Sequence, residues 1–105
     1  LDQGSNLARH QIRFHPAAIA ELGAAVEWYS ARSRRAAERF LEELDQLMSR
    51  ISDSPVQFTA LESGVRKANF RRFPYMIMFR EHAKGVDIIA IAHGHRRPGY
   101  WQARV

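Results

Sequence analysis

Within nine residues, the segment His93-Gly94-His95-Arg96-Arg97-Pro98-Gly99-Tyr100-Trp101 gathers two imidazoles, two guanidiniums, a phenol and an indole. His93 and His95 stand one residue apart, which puts both rings on the same side of an extended backbone. Metal binding would need further ligands. No neighbouring Asp or Glu supplies them and the Arg-rich surroundings repel a cation, so neither a metal site nor a cofactor is expected. General acid or base work would need a positioned partner. The only carboxylates after residue 63 are Glu81 and Asp87, in or near a hairpin. No catalytic triad, carboxylate pair or Gly-rich phosphate loop occurs. Binding is the remaining chemistry. Arg96 and Arg97 join Arg66, Lys67, Arg71 and Arg72 in a candidate partner-binding or target-binding patch. His93, His95, Tyr100 and Trp101 belong to the same candidate surface, although the two aromatics and His93 would equally serve to close the open end of a core.

The charge distribution points the same way. Residues 1–63 carry seven Arg against nine acids, and residues 64–105 carry nine Lys and Arg against two acids, so a net of −2 precedes a net of +7. A field of that sign draws nucleic acid, an acidic protein surface or anionic lipid. With 46% hydrophobic and 26% charged residues the 105-residue chain has the usage of one globular domain. The absence of cysteine excludes a disulfide scaffold. No apolar run is long enough to cross a bilayer and no signal pattern opens the chain, so no membrane association and a cytoplasmic location are expected. The polar start is set apart: residues 1–8 read as an appended or disordered stretch, and residues 9–105 as the single domain.

Position along the chain follows from periodicity. Residues 9–14 alternate on Ile12 and Phe14 as a half-buried strand does. Pro16 suits the first turn of a helix, and Ile19, Leu22, Val26 and Tyr29 line one face of it, leaving Glu21 and Glu27 free to face solvent. Residues 30–33 interrupt the pattern. Ser33 can cap a second helix whose apolar positions are Ala37, Phe40, Leu41, Leu44, Leu47, Met48 and Ile51. Ser52-Asp53-Ser54-Pro55 ends it, and the stretch to Gly64 reads as an exposed connection. Strands then follow at 65–70, 75–80 and 86–93, with a turn at Pro74 and a hairpin loop over 81–85. In the second of these strands Tyr75, Ile77 and Phe79 oppose Met76 and Met78. The third is nearly continuously apolar, as for a central strand covered on both faces. The expected fold is α+β, in the order β-α-α-β-β-β: a helical hairpin packed on a mostly antiparallel four-stranded sheet.

Two stretches carry a resemblance to a known family. They are Gly64-Val65-Arg66 continuing through Arg71-Arg72-Phe73-Pro74-Tyr75-Met76-Ile77-Met78-Phe79, and Ile88-Ile89-Ala90-Ile91-Ala92-His93-Gly94-His95-Arg96-Arg97-Pro98. Together with the preceding helical hairpin they resemble the ParE/RelE superfamily toxins of bacterial type II toxin–antitoxin modules, over about residues 9–104. The Phe-Pro-Tyr strand and the long hairpin are closer to the ParE, or plasmid-stabilisation, branch. The resemblance implies a toxin that inhibits DNA gyrase without a hydrolytic site of its own, in a hetero-oligomer with a cognate antitoxin that wraps it. That antitoxin is expected to be acidic where it meets the basic half. In the alternative RelE-like branch the chain would be an endoribonuclease acting on mRNA at the ribosome. There Arg66 or Lys67 and Arg71 or Arg72 would neutralise the phosphate, Arg96 or Arg97 would stabilise the transition state, and Tyr100 would transfer the proton. A plain nucleic-acid-binding module is the third reading. It lacks a basic recognition helix, because Arg32, Arg34, Arg35 and Arg39 cluster at the helical turn.

Overall fold

The structure, a computed structural model, describes residues 11–105. The expectations for residues 1–8, and for the first two residues of the strand at 9–14, lie outside the described residues. Strand β1 (Gln11–Phe14) is followed by helices α1 (Pro16–Arg32) and α2 (Arg34–Asp53), and then by β2 (Thr59–Ala60), β3 (Arg66–Asn69), β4 (Tyr75–His82) and β5 (Gly85–His93). The sheet order is β1-β5-β4-β3-β2, with β1 parallel to β5 and the other pairs antiparallel. The expected four-stranded sheet is therefore corrected to five strands. The added strand, β2, has only two residues, both exposed, so it leaves no alternation to read. Its pairing with β3 sets it in place, Thr59 opposite Lys67.

The helical hairpin turns on one residue. Ser33 donates its N–H to the Tyr29 carbonyl at 2.8 Å to close α1, and its Oγ accepts from the Ala36 N–H at 3.2 Å to open α2. The interruption expected over 30–33 is thus confined to Ser33. At the other end of α1 the His15 Nδ1 accepts from the Ala17 N–H at 3.0 Å, with Pro16 in the first turn, where its missing N–H has no cost.

One correction concerns the helix faces. Ile19 is 57% exposed and Leu41 43% exposed, although both were expected in the core. In α1 the inward positions are Ala18 and Ala25, flanked by half-buried Leu22, Val26 and Tyr29. Two alanines let the helix backbone come close to β5, and the larger Ile19 falls outside that contact.

The main core lies between the helices and the sheet, where Phe40, Leu44, Leu47 and Ile51 of α2 meet Ile77, Phe79, Val86, Ile88 and Ile91. A second, smaller cluster covers the opposite sheet face: Val65, Met78, Ile89, Ala90 and Trp101, with Leu61, Met76 and Tyr100 at its edge. The expected opposition within β4 therefore holds, with Ile77 and Phe79 toward the helices and Met76 and Met78 away from them. Strand β5 adds a bulge. Met78 pairs with Ala90 but Phe79 with Ile88, so Ile89 is the extra residue. Ile88 and Ile91 then face one cluster while Ile89 and Ala90 face the other. This is why the strand reads as an unbroken apolar run.

The hairpin between β4 and β5 is tighter than the five-residue loop expected, because Glu81 and His82 still pair with Val86 and Gly85. Gly85 is also where β1 arrives. A Cβ there would lie 2.2 Å from the Gln11 carbonyl oxygen, at a backbone φ of 157°. Gly85→Ala must push β1 off the sheet edge and is expected to cost about 2 kcal/mol, within the range for overpacking a tight site. Chemical denaturation checks this. A change under roughly 0.5 kcal/mol, the level of an indifferent surface substitution, would show that β1 yields freely.

Candidate functional site

The outer edge of β5 positions the C-terminal cluster. Strand β1 covers that edge only as far as Ile88, whose carbonyl accepts the His15 N–H at 2.9 Å before the chain turns into α1. Beyond it, side chains take over the ladder. Glu21 of α1 accepts the Ile91 N–H at 3.0 Å, and Arg104 donates to the Ile89 carbonyl at 3.1 Å. Arg104 also holds both oxygens of Glu21, at 2.9 and 3.0 Å, and the Tyr100 hydroxyl donates to Glu21 at 2.7 Å.

The electrostatics follow from that arrangement. Burial by itself would raise the Glu21 pKa, but the bonds from Arg104, Tyr100 and the Ile91 N–H outweigh it and hold the carboxyl below its ordinary value. Tyr100, desolvated and donating to that carboxylate, is pushed up to about 12. Arg104 is raised by its hydrogen bond to Glu21.

Glu21 was expected to face solvent, and the structure corrects this. A signal was available: Glu21 lies three residues after Ala18 and four before Ala25, on the inward face of the helix. Arg104, the other residue missed, carried no such signal, because its role depends on a single 3₁₀ turn at Gln102–Arg104 returning to the sheet edge.

The candidate residues divide among three cavities, with Arg66 apart from all of them. His93, His95, Arg96 and Tyr100 line a groove of about 540 Å³ whose other wall is Ala24, Trp28 and Tyr29 of α1, closed at one end by Pro74 and Tyr75. Within it His93 Nδ1 accepts from the His95 N–H at 3.0 Å, and its ring meets Tyr75 edge-on at 5.1 Å. The Arg96 guanidinium lies 4.2 Å over the Tyr100 ring. Trp28 is 51% exposed, with the Arg32 guanidinium 3.6 Å over its ring. Tyr29 and Tyr75, desolvated here, both have raised pKa values.

On the opposite sheet face a pocket of about 280 Å³ brings Lys67 together with His93, Arg96, Arg97 and Tyr100. Trp101 belongs to its floor: at 5% exposure it fills the second cluster and supports the surface from beneath. Arg71 and Arg72 lie elsewhere. Their backbone N–H groups bind the Glu43 carboxylate, and their side chains line a cleft with Arg39, Glu42 and Gln46 of α2. Arg66 is engaged within the fold, with Nε 3.0 Å from Glu81 and Nη1 2.9 Å from the Phe58 carbonyl. Of Arg66, Arg71, Arg96 and Tyr100, the set a nuclease would use, only Arg96 and Tyr100 stand together.

Comparison with known proteins matches the same region. A family model described as ParE toxin of type II toxin-antitoxin system, parDE, matches residues 12–98. Among solved structures, a chain of the chromosomal ParDE TA system from P. aeruginosa superposes with a TM-score of 0.69 at 20% identity, covering 80% of this chain and 95% of that one. That likeness concerns the fold. No curated protein matches significantly.

Proposed function

We propose that this protein, which belongs to the ParE toxin family of type II toxin–antitoxin systems, arrests growth by binding and inhibiting DNA gyrase and is kept inactive by a cognate antitoxin. The observation that carries the mechanism is the state of Tyr100. Its hydroxyl is bound to Glu21 and ionises only near pH 12, while Arg66 is paired with Glu81. A group so held is poorly placed to exchange protons with RNA near neutrality. Such a surface suits a protein that acts by occupying its target. Among the described residues no helix is long and apolar enough to cross a membrane, and the cytoplasm is the proposed place of action.

The groove along α1 suits the antitoxin. It combines an exposed Trp with Tyr29 and Tyr75 and a rim on which Arg96 carries the positive charge beside His93 and His95. Aromatic and Arg residues of this kind are the usual anchors of protein interfaces, and the rim favours an acidic amphipathic segment. Trp28→Ala is expected to weaken antitoxin binding by about 2 kcal/mol, roughly 30-fold in Kd, without loss of fold, because the side chain is half exposed. Titration calorimetry with the antitoxin checks this, and an unchanged Kd would move the contact away from α1.

Inducible expression without antitoxin tests the target. Arrest accompanied by blocked supercoiling from purified gyrase and intact mRNA is the expected result. Arrest with ribosome-dependent mRNA cleavage, abolished in Tyr100→Phe, would overturn the gyrase reading.

A further inference from the structure

A smaller cavity, of about 200 Å³, opens nearer the start of β5 and shares no lining residue with the groove or with the pocket around Lys67. The pleat decides what enters it. Ile12 and Phe14 of β1, Phe79 of β4, and Val86 and Ile88 of β5 pack toward the helices, so Arg13, Arg80 and Asp87 beside them project from the opposite face. Register sets these three in one row. Arg13 of β1 and Arg80 of β4 each stand opposite Asp87 of β5, one on either side of it. His15, Ile89 and Arg104 are among the remaining walls.

The charges in this row are unevenly matched. Among the described residues Arg66, Arg80 and Arg104 are the half-buried arginines. Arg66 has Glu81 and the Phe58 carbonyl, and Arg104 has Glu21 and the Ile89 carbonyl. Arg80 has no such partner. A partly desolvated guanidinium with unmet donors attracts an anion. Asp87 is engaged at one oxygen only: His82 Nε2 lies 3.2 Å and Arg13 Nε 4.0 Å from its Oδ1. Oδ2 remains able to accept a hydrogen bond. His15 adds a donor, because its Nδ1 accepts the Ala17 N–H and the ring proton therefore sits on Nε2. The cavity is smaller than the roughly 300 Å³ at which sites for organic ligands begin. A tetrahedral oxyanion fits it.

We propose that this cavity is a binding site for inorganic phosphate, held as hydrogen phosphate by Arg80 and Arg13 and recognised by Asp87. The two guanidiniums, on either side of the row, donate to its bare oxygens. Its one P–OH donates to Asp87 Oδ2. The carboxylate gives the site its selectivity. Sulfate has the same shape and charge but no proton, so it sets a bare oxygen against Asp87, whereas hydrogen phosphate makes a charge-assisted O–H bond there. The bound anion also ties β1 to β4 across β5, on the face that the helices leave uncovered. The site goes beyond the gyrase reading and requires neither gyrase nor antitoxin, since it uses no residue of the groove that the antitoxin is proposed to fill.

The test is titration calorimetry of the purified chain with sodium phosphate, sodium sulfate and methyl phosphate at constant ionic strength and about pH 8, well above the second pKa of a phosphate ester, roughly 6. All three are then dianions, and only inorganic phosphate keeps a proton. One phosphate per chain is expected to bind at least about tenfold more tightly than either of the others, the worth of one hydrogen bond to a charged group. Phosphate at ten times its Kd should lower the unfolding constant about elevenfold in urea, and sulfate, which strengthens burial by exclusion as phosphate does, should show no saturating step. Arg80→Gln should weaken phosphate binding at least about tenfold. Asp87→Asn, whose amide can donate to a bare oxygen, should bring sulfate within about threefold of phosphate. Arg13, 80% exposed, supplies a second charge variant should Arg80→Gln fail to fold, and Arg13→Gln should weaken phosphate binding several-fold. Arg34→Gln, the same charge change at an arginine paired with Glu38 on the helical turn, should leave it unchanged. Four results would each overturn the proposal: no saturable binding of phosphate, sulfate bound as tightly as phosphate, weakening by Arg34→Gln equal to that by Arg80→Gln, and methyl phosphate bound as tightly as phosphate. The last would make the occupant the phosphate end of a larger molecule.

Discussion

Phe40→Ala is expected to destabilise the domain by about 4 kcal/mol, in the range for truncating a fully buried aromatic, and to lower the melting temperature by roughly 15 to 30 °C. Phe40 is 0% exposed and stacks on Phe70 at 4.9 Å with the planes 5° apart. It also stacks on Tyr29 at 5.3 Å and meets Phe73 and Tyr75 edge-on at 5.2 and 5.3 Å. One residue of α2 thus joins α1, the β3–β4 turn and β4. The loss is a large share of the roughly 5 to 15 kcal/mol available to a small domain. It should also reach function, because Tyr29 and Tyr75 form part of the groove wall and would lose the ring that orients them. Leu41→Ala, one position along the same helix but largely exposed, is the control and should cost under about 1 kcal/mol. Urea unfolding of the two variants decides the matter. Equal midpoints would mean that the aromatic cluster is not the keystone it is taken to be.

The contrast between Phe40 and Leu41 shows where the sequence is legible. Both satisfy the helical spacing, and α2 as a whole was readable because its apolar residues are large and its outward residues charged. Helix α1 was harder. Its inward face is built from Ala18 and Ala25, whose weak hydropathy conceals the side that touches the sheet, and the conspicuous Ile19 lies outside it. The same ambiguity hid Glu21. Strand β2 was unreadable for another reason, because two exposed residues have no period and acquire their conformation from β3. The bulge in β5 erased an alternation that would have shown which of Ile88 to Ile91 faces the helices. Of the basic residues, sequence spacing could not distinguish those consumed by the fold from those left available. Arg66 found Glu81 fifteen residues away across the sheet, whereas Lys67, next to it in the chain, points into the pocket with Arg96 and Arg97.

The Glu21 network should dominate the pH dependence of the domain. Glu21→Ala removes the acceptor for the Ile91 N–H, the Tyr100 hydroxyl and the Arg104 guanidinium together. Stripping one partner from a largely buried ion pair leaves the remaining groups poorly solvated, so a cost of about 3 kcal/mol is expected, at the low end for buried pairs because solvent still reaches the site. Glu21→Gln should lose roughly half of that, since its amide oxygen can still accept from Ile91 or Tyr100 but carries no charge for Arg104. The folded-state pKa of Glu21 lies below the ordinary carboxylate value of 4.5. Its contribution is therefore complete above that value and is lost as pH falls through the lower, folded one. The gap in melting temperature between the wild-type chain and Glu21→Gln should narrow as the solution is acidified below pH 4.5. Tyr100 acts at the other end with the opposite sign. Raised from 10 to about 12, it contributes fully below pH 10 and ceases to contribute as pH climbs through 12. Tyrosinate absorbance can follow this directly, because Tyr100→Phe should delete the component titrating near 12 and Glu21→Gln should move it down toward 10. If the Glu21 variants melt with the wild-type chain throughout the acid range, the edge of β5 is held by Arg104 on the Ile89 carbonyl alone, and the C-terminal turn that walls both the groove and the sheet-face pocket does not depend on α1.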